Sequence, residues 1–218
     1  MTIVPVSPAS FYQFVVAVFQ NTAKCRRLLL QVTIVHIFLA VISPCAYASG
    51  WSDSVEVLWN YQPVVSYRAK FDGSFLIVKV HHQPGWHTYA MDNRLRAKEK
   101  LAGRNSLGVD TPTTITVRDG LEMSGVWHQS PPNDYSKPQL RWFTWGFEGY
   151  AVFASAVEKV GAGPATVEIH GQACDASSCR NIELDLLVPL DRTEDICSEK
   201  FSLEKFTKVR QDNSIHGR

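Results

Sequence analysis

Cysteine is scarce in this 218-residue chain: five in all, two of them in an N-terminal leader, and no two in a Cys-x-x-Cys arrangement. That spacing excludes a thioredoxin-like motif and leaves a metal cluster short of soft ligands. Charge excess is missing too. The 22 Lys and Arg residues nearly balance 21 Asp and Glu residues, a formal charge of +1, so nothing global favours nucleic acid or an anionic membrane. Internal repeats and low-complexity stretches are absent, which removes the fibrous and disordered classes. No stretch carries a convincing amphipathic helix, and no apolar run reaches the ~20 residues of a membrane span. A hydrophobic fraction of 45% instead suits one globular domain with extensions.

The leader is the first positive feature. Lys24, Arg26 and Arg27 precede the apolar run LLLQVTIVHIFLAVI at 28–42, and Ser43-Pro44-Cys45-Ala46-Tyr47-Ala48 follows it. A basic stretch, an apolar core and an Ala-x-Ala site predict a secretory signal over 1–48, with an extended n-region, cut after Ala48. An uncleaved membrane anchor is the minor alternative, and Gln31 and His36 inside the run count against it. Cys45 as a lipid attachment site fits poorly after Pro44. Removal of three of the 22 basic residues with the leader leaves 19 against 21 acidic ones, net −2. The expected location is the periplasm, with no stable membrane insertion after cleavage. An oxidising compartment turns a close cysteine pair into a disulfide unless something keeps reducing it.

From 49 to 190 the pattern alternates with period two, broken by Gly, Pro, Asn and Asp. Strands are expected at Val55–Trp59, Val64–Lys70, Ser74–Val80, Gly85–Tyr89, Thr113–Arg118, Leu121–Trp127, Gly149–Val157, Ala165–His170 and Ile182–Val188. Asp119-Gly120 reads as a hairpin turn between two of them. The segment 91–112 reads as a long loop with one helical turn near Leu95–Leu101, and SPPNDYSKP at 130–138 as a protruding loop, because its prolines forbid a central strand. About seven to nine short strands without a helix to match predict an all-β, immunoglobulin-like antiparallel β-sandwich. A polar tail at 191–218 follows, with a short helix expected from about Glu199 to Val209.

Cys174 and Cys179 form the one close pair in the exported part, in Gly171-Gln172-Ala173-Cys174-Asp175-Ala176-Ser177-Ser178-Cys179-Arg180, between two expected antiparallel strands. A metal site has only His170 nearby and a distant Cys197 to draw on. Spacing alone leaves a structural staple and a redox pair both open. A staple across so short a loop yields only about 2 kcal/mol. A redox pair needs an accessible sulfur and a reachable thiolate: Asp175 disfavours one, while Arg180 and His170 favour it.

Further residues carry a resemblance. The stretch Gln172–Cys179, the strand Gly85-Trp86-His87-Thr88-Tyr89, the lead-in Gly125-Val126-Trp127-His128 and the return Gly149-Tyr150 occur in the order seen in the disulphide bond corrector (DsbD N-terminal-like) domain family, which 52–190 resembles. The resemblance implies an immunoglobulin-like fold and a Cys174/Cys179 pair that passes electrons between a membrane-embedded thiol relay and periplasmic thioredoxin-like oxidoreductases, in disulfide exchange and cytochrome c biogenesis. It also implies a cap loop, here Gln129–Pro138, with Tyr135 as the shielding aromatic and Tyr89 and His128 as supporting residues, and no cofactor or metal. Arg180-Asn181 stands where the family often has two prolines, and the cap loop is longer and richer in proline. With no Cys-x-x-Cys of its own, the chain is expected to borrow its reductant. Whether it qualifies as an enzyme stays open at this level. The competing expectation is a non-catalytic binding sandwich with a structural disulfide. In it, contact would come from 91–112 or the aromatics Trp142, Phe143, Trp145 and Phe147, although core filling is the simpler account of those rings. His81 and His82, adjacent on a strand, face opposite ways and are poor joint ligands.

Overall fold

The computed structural model describes residues 50–108, 110–190 and 201–211. The leader with its cleavage site, and Cys197, lie outside the described residues. Two antiparallel sheets pack face to face. The first has the order β1 (Val55–Trp59), β2 (Gln62–Phe71), β3 (Phe75–His82), β9 (Tyr150–Val160), β6 (Leu121–Gln129) and β12 (Thr207–Lys208). The second runs β11 (Cys179–Val188), β10 (Ala165–Cys174), β4 (His87–Tyr89), β8 (Trp145–Glu148) and β7 (Asn133–Asp134), and β5 (Thr114–Arg118) pairs with β10 beside β4. The fold is the all-β sandwich that the period-two alternation predicts.

Alternation explains the core. On β2, Val65, Tyr67, Ala69 and Phe71 point inward; on β10, Ala165, Val167, Ile169 and Ala173 do; on β11, Ile182, Leu186 and Val188 do. Each such face must be buried against the other sheet, and their β-branched and aromatic residues suit a pleated surface. Trp145 and Phe147 belong to this core, Phe147 meeting Phe153 edge to face across the two sheets at 5.4 Å. The helical turn expected after Tyr89 is a full helix, α1 (Asn93–Lys100). Its Asp92 and Asn93 are buried and hydrogen-bonded to Gln129 and to the Trp145 N–H, which anchors it to β6 and β8.

Two expectations are corrected. Asp119-Gly120 is not a hairpin turn, although both residues have left-handed φ, 55° and 62°. Thr114–Arg118 pairs residue by residue with β10, whereas Leu121–Gln129 pairs with β9, so the chain crosses here from one sheet to the other. Gly120 sits so close to Pro164 and Ala165 that a Cβ would lie 2.8–2.9 Å from their backbone, which fixes the corner against the next turn. The tail helix is also absent among the described residues 201–211. Phe201 packs on Phe75 and Phe206 instead, and Thr207–Lys208 adds an edge strand to β6, because docking two aromatics on the sheet buries more apolar surface than a solvated helix would.

Candidate functional site

The β10–β11 hairpin keeps an unbroken register from Ala165↔Val188 to Cys174↔Cys179, and the two cysteines at its end are disulfide-bonded. Between them the turn is closed by Asp175. Its N–H donates to the Ser178 carbonyl at 2.9 Å, and its Oδ1 accepts from the N–H groups of Ser177 at 2.7 Å and Ser178 at 2.6 Å and from the Ser177 hydroxyl at 3.1 Å. These backbone donors hold the carboxyl below its usual range. The loop is therefore ordered by its own hydrogen bonds as well as by the sulfurs. Exposure divides the pair: Cys174 is 2% exposed, while Cys179 is exposed.

Cys174 lies on the outer face of its sheet, because its neighbour Ala173 points into the core. Directly opposite Cys174 on β4 is His87, and opposite His87 on β8 is Glu148. Such partners have Cβ atoms about 4.5–5.5 Å apart, so the three side chains form one row across the sheet. Alongside runs a second row. Tyr89 is two residues from His87, with its hydroxyl 3.3 Å from His87 Nε2 and its ring edge-on to the imidazole at 5.3 Å. Opposite Tyr89 is Gly146, where a Cβ would meet the Thr88 carbonyl at 2.2 Å and the Tyr135 ring at 3.5 Å. The missing side chain leaves room for Tyr135, whose ring reaches His87 at 5.5 Å.

The electrostatics follow from this packing. Burial lowers the His87 pKa, with Glu148 and Asp175 pulling the other way, so the imidazole is neutral at pH 7. Burial pushes Tyr89 up to about 12, helped by Asp110, and raises Tyr135. Both hydroxyls stay protonated and add no charge beside the sulfurs. The arrangement presents Cys179 to solvent and keeps Cys174 buried opposite an imidazole that packs against two phenol rings.

Of the residues singled out from sequence, Tyr89 and Tyr135 meet at His87 beside Cys174. The cap segment itself carries β7 and a 3-10 turn at Pro138–Leu140. His128 is placed elsewhere. It sits on β6 of the other sheet, paired with Ala154 and Lys208, because the chain passes through that sheet before entering the cap. His170 does not promote a thiolate: it is four residues up β10, about 13 Å along the strand, and faces Glu183 at 3.9 Å. The Arg180 guanidinium is spent on the Trp59 ring, 4.0 Å from its centroid. His81 stacks on Tyr150, and His82 is sealed between the Gly149 carbonyl and the Thr88 hydroxyl. Among the described residues no group of three His, Cys, Asp or Glu could hold a metal ion. Sequence reasoning quoted His87 within Gly-Trp-His-Thr-Tyr without giving it a role, and missed Glu148 and Gly146. The signal was that motif, and what it lacked was the register against Cys174.

No helix among the described residues is long and apolar enough to cross a membrane. In comparisons with known proteins, no family model matches the chain and no curated protein matches it. Among solved structures, it is similar to the reduced N-terminal domain of Neisseria meningitidis DsbD, at 11% identity and a TM-score of 0.37, covering 69% of this chain and 90% of that one.

Proposed function

We propose that the domain is a periplasmic thiol-disulfide exchange module that passes electrons through Cys174 and Cys179 between a membrane-embedded thiol relay and thioredoxin-like partners. The observation that carries this reading is the division of the pair: a buried Cys174 opposite His87, against which Tyr89 and Tyr135 pack, and an exposed Cys179 at the hairpin tip. A staple needs no such asymmetry, and the Asp175 hydrogen bonds already close the turn.

In the reducing direction a partner thiolate attacks Cys179 Sγ. A partner–Cys179 bond forms, the Cys174–Cys179 bond breaks, and its electron pair leaves on Cys174 Sγ, which takes a proton. The partner's second thiolate then attacks its own bonded sulfur and releases Cys179 as a thiolate, so that the partner is oxidised and the pair reduced. The reverse sequence hands the electrons on. The cap loop holds Tyr135 over the site until a partner displaces it.

The test is trapping. A Cys174→Ala variant leaves Cys179 without its resolving thiol and is expected to accumulate a mixed disulfide with a thioredoxin-like protein, released by dithiothreitol. A Cys179→Ala variant, with only the buried sulfur, is expected to trap at least ten-fold less. A pair potential below about −300 mV together with no adduct in either variant would identify a structural disulfide in a non-catalytic binding sandwich.

A further inference from the structure

We infer that Trp51, Arg68, Lys70 and Lys79 form a peripheral docking surface for a membrane that carries anionic phospholipids. The inference goes beyond the exchange reading and stands without it.

Alternation puts the three cations on one face. On β2, Tyr67, Ala69 and Phe71 fill the core, so Arg68 and Lys70 point outward; on β3, Leu76, Val78 and Val80 fill it, and Lys79 points outward beside them. Arg68 lies directly opposite Lys79 in the β2–β3 register. Like charges so placed destabilise a sheet. Trp51 gathers them further: the Arg68 guanidinium and the Lys70 and Lys79 ammonium groups lie 4.7, 5.2 and 4.6 Å from the centre of its ring. No two of the charges are then more than about 10 Å apart, which is one Debye length at about 0.1 M salt.

The indole face offsets only part of this repulsion. Among the described residues none of the three cations has an ion pair, and Glu56, diagonal to Arg68 across β1, is not bonded to it. Partial burial, then the Arg68 and Lys70 charges, lower the Lys79 pKa. Cations held together against their own repulsion are complementary to a dense array of anions.

Three features point to a bilayer as that array. The patch lies on a sheet face, and none of its residues lines the cavity beside α1, so it meets a broad surface and encloses no small ligand. Amphipathic rings accompany the cations: Trp51 is half-buried among them, and Tyr150, 79% exposed on the same face, stacks at 4.5 Å on His81, the next outward residue of β3 after Lys79. Trp and Tyr beside Lys and Arg are the residues of membrane–water interfaces. The chain also enters the domain at this patch, because Trp51 follows the apolar leader run at 28–42.

The experiment is sedimentation of the exported protein with vesicles of phosphatidylcholine alone or with about one-third phosphatidylglycerol. The neutral vesicles measure any uptake through the leader. At low ionic strength the wild type should partition about 100-fold more strongly onto the anionic vesicles, as three cations near such a surface allow, and the difference should vanish in about 1 M salt. Arg68→Gln with Lys79→Gln should lose about thirty-fold of that partition. Its melting temperature should match or exceed that of the wild type, since the like-charged pair is gone. Lys159→Gln, which removes a cation already paired with Glu122, should bind as the wild type does. Equal partition of the wild type onto both vesicles, or undiminished partition of the double variant, overturns the membrane surface. So does a double variant that binds vesicles normally but is reduced more slowly by thioredoxin, which would assign the cations to an acidic protein. Vesicle binding needs no disulfide exchange, so none of these results decides the trapping test above.

Discussion

Asp92 and Asn93 behind helix α1 and His87 beside the disulfide are all buried or half-buried, and they are bonded very differently. Behind the helix, Asp92 Oδ1 accepts from Arg96 Nε at 2.7 Å and Gln129 Nε2 at 2.8 Å, and Oδ2 from the Arg210 N–H at 3.3 Å. Asn93 bonds Asp110, the Thr144 hydroxyl and the Trp145 N–H. Around the disulfide, His87 has one polar contact of 3.3 Å and otherwise ring packing. The first group is bonded densely at the buried Asp92 and Asn93, while the neighbouring Arg96 keeps a buried Nη2 without a partner among the described residues. The second leaves an imidazole lightly held opposite a cysteine. The density of hydrogen bonds around these particular groups thus distinguishes the helix anchor from the surroundings of His87.

Breaking the sealed cluster should have the largest effect. Asp92→Ala leaves Arg96, whose side chain is only 12% exposed, without its carboxylate, and should lower stability by about 3–5 kcal/mol in urea denaturation. Its dithiothreitol reduction rate under native conditions should stay close to wild type. A large fall in that rate at unchanged fold would show that the two clusters are not independent.

A smaller effect sharpens the same contrast with two histidines five residues apart. His82, with Nδ1–H on the Gly149 carbonyl at 2.9 Å and Nε2 accepting from Thr88 at 2.8 Å, is pushed down to about 4 by burial. The folded ring refuses a proton that the unfolded chain takes up near pH 6.5. Its contribution is therefore full above pH 6.5 and is lost as the pH falls toward 4, about 3 kcal/mol over that window. A His82→Gln variant should be less stable at pH 7 and show a flatter stability profile between pH 6.5 and 4.

How much of this was legible in sequence varies with the kind of information needed. Val167, Ile169, Ile182, Leu186 and Val188 announce their inward faces by alternation, and the cysteine hairpin followed from the strands on either side. Alternation reports a face and never a neighbour. Hence Asp119-Gly120 read as a hairpin while the strands it joins pair elsewhere, and His87 was quoted without its place opposite Cys174. The tail failed for another reason: Phe201 and Phe206 sit in a polar, helix-tolerant segment, and only the sheet beneath, at Phe75, decides their conformation.

The smallest change in stability and the sharpest chemical readout come from His87. Phe at this position keeps a ring against Tyr89 and Tyr135, and it gives up only the 3.3 Å contact, so stability should move by no more than about 1 kcal/mol. Chemistry should respond differently. Glu148 from β8, Asp175 from the cysteine turn, and Tyr89 and Tyr135 with their protonated hydroxyls face the imidazole, and burial keeps its pKa below the ordinary value. As pH falls below 6.5 the wild-type ring gains a proton, and the resulting cation opposite Cys174 favours the thiolate that leaves when Cys179 is attacked. The dithiothreitol rate, corrected for the thiolate fraction of the reductant, should therefore rise through a step below pH 6.5 in wild type and run flat in His87→Phe. Identical profiles would mean that the imidazole packs beside the sulfur without acting on it, and the contrast between the two clusters would then be one of exposure alone.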